Sequence, residues 1–156
     1  MNSLNNLKKA GKYQSLHGTY TPLFPTKYKG KGLPQFKSKL ELKMMMYLDK
    51  SIAVLEWSYE PFAIKYEDKS QLDANKRGII RKYYVDFTAT IKNGPVAKRY
   101  WLEVKSINEI ALSKKAKKNI NESNTYVKNM SKWVVAKQLA KAANCEFILI
   151  TDKDLK

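Results

Sequence analysis

Apolar and polar positions alternate with a period of two through residues 83–106, and the two halves of that stretch read as strands joined at Asn93-Gly94. Such a pair turns tightly because both residues tolerate positive φ. Carried along an unbroken first strand, the alternation puts Lys82, Tyr84, Asp86 and Thr88 on one face and Arg81, Tyr83, Val85 and Phe87 on the other. On the second strand Trp101, Glu103 and Lys105 share a face, while Tyr100, Leu102 and Val104 form the opposite, apolar one. Upstream the period becomes helical, with Leu40, Met44, Tyr47 and Leu48 expected to face the core. Ser38-Lys-Leu-Glu41 supplies a capping box: the Ser38 hydroxyl accepts from the Glu41 amide, and the Glu41 carboxylate accepts from the Ser38 amide. Asp49-Lys50-Ser51 ends this helix. Short strands are expected at residues 53–57 and 62–66, a polar loop at 67–78, and the start of the strand leading to Asp86 near Ile79. After Ser106 the pattern is helical or irregular. A second helix then spans residues 131–143, with Asn144 as its cap, and 145–151 form a last apolar strand. The order helix, three strands, helix, strand describes an α/β fold, a mixed sheet flanked by helices.

Composition narrows the partners. The 156 residues suit one domain, and 44% apolar with 12% aromatic content is enough to bury a core. Lys and Arg number 30 against 14 Asp and Glu, a formal charge of +16, which attracts polyanions, with double-stranded DNA first among them. No apolar run reaches the length of a membrane span, and MNSLNNLKKAGKY lacks the apolar centre of a signal peptide, so no membrane partner is expected. The single cysteine, Cys145, allows neither an internal disulfide nor a cysteine cluster for zinc. It reads as an inert buried thiol in a reducing cytoplasm.

Residues 1–37 stand apart from 38–156. They hold seven lysines and no Asp or Glu, with glycines and prolines interrupting any regular pattern. Tyr13, Leu16, Tyr20, Leu23, Phe24, Tyr28, Leu33 and Phe36 are too many large apolar groups for a solvated tail. The segment is therefore expected to be an extended basic arm laid against the domain. Lys27, Lys29, Lys31 and Lys37 are its candidate phosphate contacts. Lys114, Lys115, Lys117 and Lys118 form a second basic cluster, either a DNA contact or a solvated helix face. His17, the single histidine, reads as structural or solvated. Trp57, Trp101 and Trp133 read as core rather than base-stacking residues.

The hairpin carries the candidate chemistry. Asp86 across from Glu103 and Lys105 gives two carboxylates and an ammonium on rigid strands, the set a hard divalent cation and a phosphoryl transfer require. Alternating charges also mark a solvated strand face, and Glu-x-Lys is common, so the hairpin by itself leaves both readings open.

The order of elements, with Glu41 in the first helix, Asp86 in the middle strand and Glu103-Val-Lys105 in the next, resembles the PD-(D/E)xK nucleases, with a TnsA-like, restriction-endonuclease-like core. Val85 stands where that motif has proline. The resemblance implies Asp86 and Glu103 as ligands for Mg²⁺, with Mn²⁺ as a substitute, Lys105 as the catalytic lysine and Glu41 as an accessory acid in competition with its capping role. Gln138 is a further position that glutamines of some relatives would turn toward the site, against a plain surface placement. A closer resemblance is to the head completion nuclease of tailed phages related to the T-even group. It is carried by Gly18-Thr-Tyr-Thr-Pro22, Lys27-Tyr-Lys-Gly30, Phe36-Lys-Ser-Lys-Leu-Glu41, Leu55-Glu-Trp-Ser58 with Glu60, Tyr84-Val-Asp-Phe87 and Trp101-Leu-Glu-Val-Lys105. That resemblance implies a late-acting protein that trims or holds the packaged DNA end in filled heads before tails join. Its partners would be double-stranded DNA and portal or neck proteins, in the host cytoplasm during assembly and in the virion head or neck. The alternatives are a non-catalytic head component and a transposon- or restriction-type endonuclease.

Overall fold

The structure, a computed structural model, describes residues 16–110 and 120–156. In chain order the elements are β1 (Gly18–Thr19), β2 (Gln35–Phe36), α1 (Lys39–Lys50), β3 (Val54–Tyr59), β4 (Ala63–Leu72), β5 (Gly78–Tyr84), β6 (Phe87–Asn93), β7 (Val96–Lys105), α2 (Ile107–Ile110), α3 (Ile120–Ala142) and β8 (Glu146–Thr151). The main sheet runs β3-β6-β7-β8; its first three strands are antiparallel, and β8 lies parallel to β7. A parallel neighbour needs a crossover, which α3 supplies. The expected mixed α/β fold is present; the strand expected at 62–66 is the start of β4, which pairs with β5 in a separate two-stranded sheet that falls between β3 and β6 in the chain.

Two cores sit on opposite faces of this sheet. On one, Met44, Met45 and Leu48 of α1 pack with Val54, Trp57, Phe87, Ala89, Leu102 and Val104. On the other, Ala136 and Ala140 of α3 meet Trp101, Val85 and the hairpin residues Ile64, Tyr66 and Tyr83. The small alanines let α3 lie close to the sheet and hairpin. Both faces of β7 are therefore covered, and Trp101, Leu102, Glu103 and Val104 are buried in succession.

Several local expectations change. Met45 is buried on α1, whereas Tyr47 is 51% exposed. Met44-Met45-Met46 is apolar on adjacent sides of the helix, so periodicity alone does not fix its phase. Only residues 73–77 lie between β4 and β5, in place of the loop expected over 67–78. The polar run concealed a strand because one inward side chain, Asp68, is a buried acid paired with Arg81 at 2.8 Å and hydrogen-bonded to Ser70. Burial alone would raise its pKa, but the Ser70 and Arg81 bonds bring it below the usual value. The strand expected to run unbroken through Asp86 is split, with β5 ending at Tyr84 and β6 beginning at Phe87. Tyr83 and Val85 consequently face the α3 core and Phe87 the α1 core, so side-chain parity is not carried across the break. Asn93 pairs with Val96, placing Gly94 and Pro95 in the turn, and Gly94 alone of the expected Asn-Gly pair takes positive φ, at 62°. The second helix begins at Ile120 rather than at 131, and Asn144 caps it in the left-handed region, with the Cys145 amide donating to the Ala140 carbonyl at 2.8 Å. Cys145 is half-buried, not enclosed as expected.

Residues 16–37 form a strap. β1 pairs with β2, and Lys27 to Lys29 flank Trp57 in backbone hydrogen bonds (Trp57 N–H to the Lys27 carbonyl and Lys29 N–H to the Trp57 carbonyl, both 2.9 Å), covering the outer edge of β3. Asp49, fully buried at the end of α1, accepts from the Tyr20 hydroxyl and the Leu23 amide, both at 2.7 Å, and from the Phe24 amide at 3.1 Å. No helix among the described residues is long and apolar enough to cross a membrane.

Candidate active site

The break between β5 and β6 places Asp86 at the end of the sheet. Its Oδ2 accepts from the Val104 amide and its carbonyl accepts from the Glu60 amide, both at 2.8 Å. Glu60 holds φ at 42°, a left-handed conformation unusual for a side chain with a Cβ, and such residues concentrate at functional sites. Because Phe87 pairs with Leu102, Asp86 is carried opposite Glu103. Glu103 is 2% exposed; its Oε1 lies 3.8 Å from Lys105 Nζ, and its Oε2 has no hydrogen-bond partner.

Two carboxylates share this desolvated corner, and both acidities respond. Burial pushes Asp86 well above the usual carboxylate range and the charge of Glu103 adds to the effect, with the Val104 amide and Lys105 opposing. Burial raises Glu103 as well, against Lys105 and Lys132. A pair of this kind resists double ionisation until a cation neutralises it. The residues thus fit a divalent metal: two hard oxygen ligands, one buried oxygen without a partner, and a lysine at the rim. Among the described residues no three His, Cys, Asp or Glu side chains form a ready cage. A two-carboxylate set matches Mg²⁺, which keeps several waters and substrate oxygens in its shell.

Glu41 serves the helix start and reaches the site electrostatically. Its amide donates to Ser38 Oγ at 3.1 Å, as the capping box requires, but its carboxylate returns to the Lys37 amide at 2.7 Å rather than to that of Ser38. The Tyr59 hydroxyl donates to the same oxygen, Oε2, at 3.0 Å. The Glu41 charge contributes to raising Asp86. Burial, followed by Glu41 and Glu60, keeps Tyr59 protonated and available as a donor.

Other positions are distributed unevenly. Lys37 pairs with Glu60 Oε1 at 2.6 Å, and this bond, opposed by burial, raises its pKa; weaker contributions from Glu41 and Asp86 place it beside the acidic corner. Lys29 and Lys31 are exposed. Lys27 turns its ammonium onto the carbonyls of Asp49 at 2.9 Å and Ser51 at 2.7 Å, capping the C-terminus of α1, so it is not offered to an outside phosphate. Lys114, Lys115, Lys117 and Lys118 lie outside the described residues. Gln138 is exposed, and Trp57, Trp101 and Trp133 are buried.

Periodicity missed Lys132, which α3 delivers half-buried beside the carboxylates, its Nζ 5.5 Å from the centroid of the Tyr83 ring. Burial and then Lys105 lower its pKa, while Glu103 and Asp86 pull it up. The available signal was its place next to Trp133, on the helix whose Ala136 and Ala140 face the core.

A helix, three antiparallel strands, a crossover helix and a parallel strand, with an acidic pair and a lysine at the end of the sheet, define the restriction-endonuclease-like class of PD-(D/E)xK nuclease folds. Within that class the chain belongs to the TnsA-like endonuclease N-terminal family, whose model matches residues 51–152, more than half of its length. Asp86, Glu103, Lys105 and Lys132 fall inside the matched region and Glu41 before it. No curated protein matches the chain significantly.

Proposed function

We propose that this protein is a divalent-metal-dependent DNA endonuclease in which Asp86 and Glu103 hold Mg²⁺. The observation that carries the proposal is the pairing of Asp86 with the buried Glu103, whose Oε1 lies 3.8 Å from Lys105 Nζ. A bound divalent cation would supply Lewis-acid activation of water and charge neutralisation at the leaving oxygen. The chain's own groups do the rest. The Val104 amide fixes the Asp86 carboxylate, and Lys105, one-quarter exposed, orients the attacking water or counters charge developing on the phosphate. Lys132 adds a second cation facing the same corner. Glu41 acts as the accessory acid through Oε1, since both its hydrogen bonds fall on Oε2.

In its biological role we place the protein in completion of DNA-filled phage heads before tail joining. Of the motifs that support this, Gly18 to Pro22, Lys27 to Gly30 and Phe36 to Glu41 precede the family-matched region, while Leu55 to Ser58 with Glu60, Tyr84 to Phe87 and Trp101 to Lys105 fall inside it. In that role the basic arm, residues 1–37, meets packaged DNA or a portal or neck protein in the host cytoplasm or the virion. The TnsA-like match favours a second reading, a transposon-type endonuclease. The acidic pair, Glu103 buried and Asp86 half-buried, argues against a non-catalytic head component, because carboxylates drawn out of water side by side are costly without a cation to hold.

Incubation with linear and circular double-stranded DNA, with Mg²⁺ and with chelator, tests the activity. Cleavage of both forms in Mg²⁺ alone, lost in Glu103→Ala and Asp86→Ala, is expected. Cleavage that persists in both variants would remove these residues from the site. Accumulation of filled, tail-less heads when either variant replaces the natural protein would support the assembly role, and normal tail joining would oppose it.

A further inference from the structure

Four buried side-chain polar atoms among the described residues lack a hydrogen-bond partner: Trp57 Nε1, the Tyr83 hydroxyl, Glu103 Oε2 and Trp133 Nε1. Three of the four belong to one place. The Tyr83 hydroxyl and the Trp133 indole N–H both interact with the Glu103 carboxylate, yet neither closes a well-formed hydrogen bond to it. Folded interiors rarely leave buried donors unpaired, and a local cluster of exceptions calls for a cause. Here two groups able to donate surround the one acceptor that is also unpaired, so a small reorientation of one carboxylate would satisfy all three.

The donors are held by separate elements. Tyr83 lies on β5, 7% exposed, packed edge-on against Tyr66 at a centroid distance of 6.1 Å and under the Lys132 ammonium. Trp133 lies on α3, 5% exposed. Neither can travel far in a packed interior, whereas the carboxylate need only turn about its own bonds. Catalytic hydrogen bonds are often long or misaligned before the site is loaded, and tighten when it is.

We propose that Tyr83 and Trp133 are positioning residues that clamp Glu103 in its cation-bound orientation. One carboxylate oxygen turns to the divalent cation, and the other accepts from the Tyr83 hydroxyl and the Trp133 indole. The clamp rests on the assignment of Asp86 and Glu103 as the metal pair. It explains why a tyrosine and a tryptophan, each with a polar end to satisfy, are buried on the hairpin and the helix that flank Glu103. Outer partners of this kind set ligand orientation, and their loss typically weakens metal binding by about 10–100-fold.

The test is calorimetric titration of the full chain with Mg²⁺ and Ca²⁺, paired with thermal melts in chelator, for Tyr83→Phe and Trp133→Phe. Tyr83→Phe deletes one orphaned hydroxyl and leaves the ring. Its metal dissociation constant is expected to rise about tenfold or more, while its metal-free melting temperature stays level or increases, because an unpaired buried hydroxyl has been removed. A purely structural tyrosine gives the reverse, a lower metal-free melting temperature with unchanged affinity, and that result overturns the clamp. Trp133→Phe is expected to weaken binding similarly; if its smaller ring prevents folding, Tyr83→Phe decides alone. Wild-type protein that binds neither cation would overturn the metal pair and the clamp together. Wild-type binding with equal affinity in Tyr83→Phe would overturn the clamp only.

Discussion

At the residue scale, Glu41 illustrates how one side chain serves two environments. Its two hydrogen bonds, from the Lys37 amide and the Tyr59 hydroxyl, converge on Oε2, and a glutamine carbonyl oxygen can accept both. Glu41→Gln is therefore expected to change folding stability by less than about 1 kcal/mol. If its charge belongs to the site, the variant will need more Mg²⁺ for half-maximal cleavage; wild-type activity at limiting Mg²⁺ would reduce Glu41 to a cap. The acidic pair makes a pH prediction. Asp86 and Glu103 both have raised pKa values in the fold, so the folded chain keeps protons that the unfolded chain has released. Their stabilising contribution is complete below the ordinary carboxylate range and disappears as pH rises through the raised values. A divalent cation takes the ionised pair, so the gain in melting temperature on adding Mg²⁺ should grow with pH over that window. Paired melts across pH will check it, and a gain that shrinks with pH would contradict it. That Asp86, Glu103 and Lys105 meet was legible in the sequence, because a two-residue turn fixes the register that sets Phe87 against Leu102. Lys132, Tyr83 and Trp133 were not, since their approach depends on how α3 crosses the hairpin, which no local period encodes.

At the element scale, the arm expected over residues 1–37 lies outside the described residues up to 15, and from 16 to 37 it is a strap with an anchor the sequence did not signal. Asp49 reads as an ordinary helix end, yet it is fully buried and accepts three hydrogen bonds from the strap. Hydrogen bonds to a charged group contribute about 1.5–3 kcal/mol each when buried, less when water can replace the missing partner. Asp49→Ala should cost at least ~2 kcal/mol in urea denaturation and expose the strap to proteolysis. A variant with unchanged midpoint and cleavage pattern would show that the strap is held by other interactions. The elements that sequence misjudged share a cause. The phase of α1, the length of β4 and β5, and the break before Asp86 are each decided by what packs against them.

At the scale of the whole molecule, a charge of +16 predicts DNA affinity that falls steeply with salt. The structure divides the lysines of the arm. Lys29→Gln with Lys31→Gln should flatten the logarithmic salt slope, by about 0.9 for each phosphate no longer neutralised, while Lys27→Met should leave the slope intact and lower stability instead. Equal slopes for all three proteins would direct this face of the arm to a protein partner. The central claim, that Asp86 and Glu103 hold the metal for phosphodiester hydrolysis, is tested most directly by Glu103→Gln, nearly isosteric and one charge poorer. Its DNA affinity in Ca²⁺ should stay close to wild type, and its cleavage rate in Mg²⁺ should fall by more than the ~10–100-fold typical of losing an outer partner. Cleavage within a fewfold of wild type, in a folded Glu103→Gln protein that binds DNA normally, would contradict it.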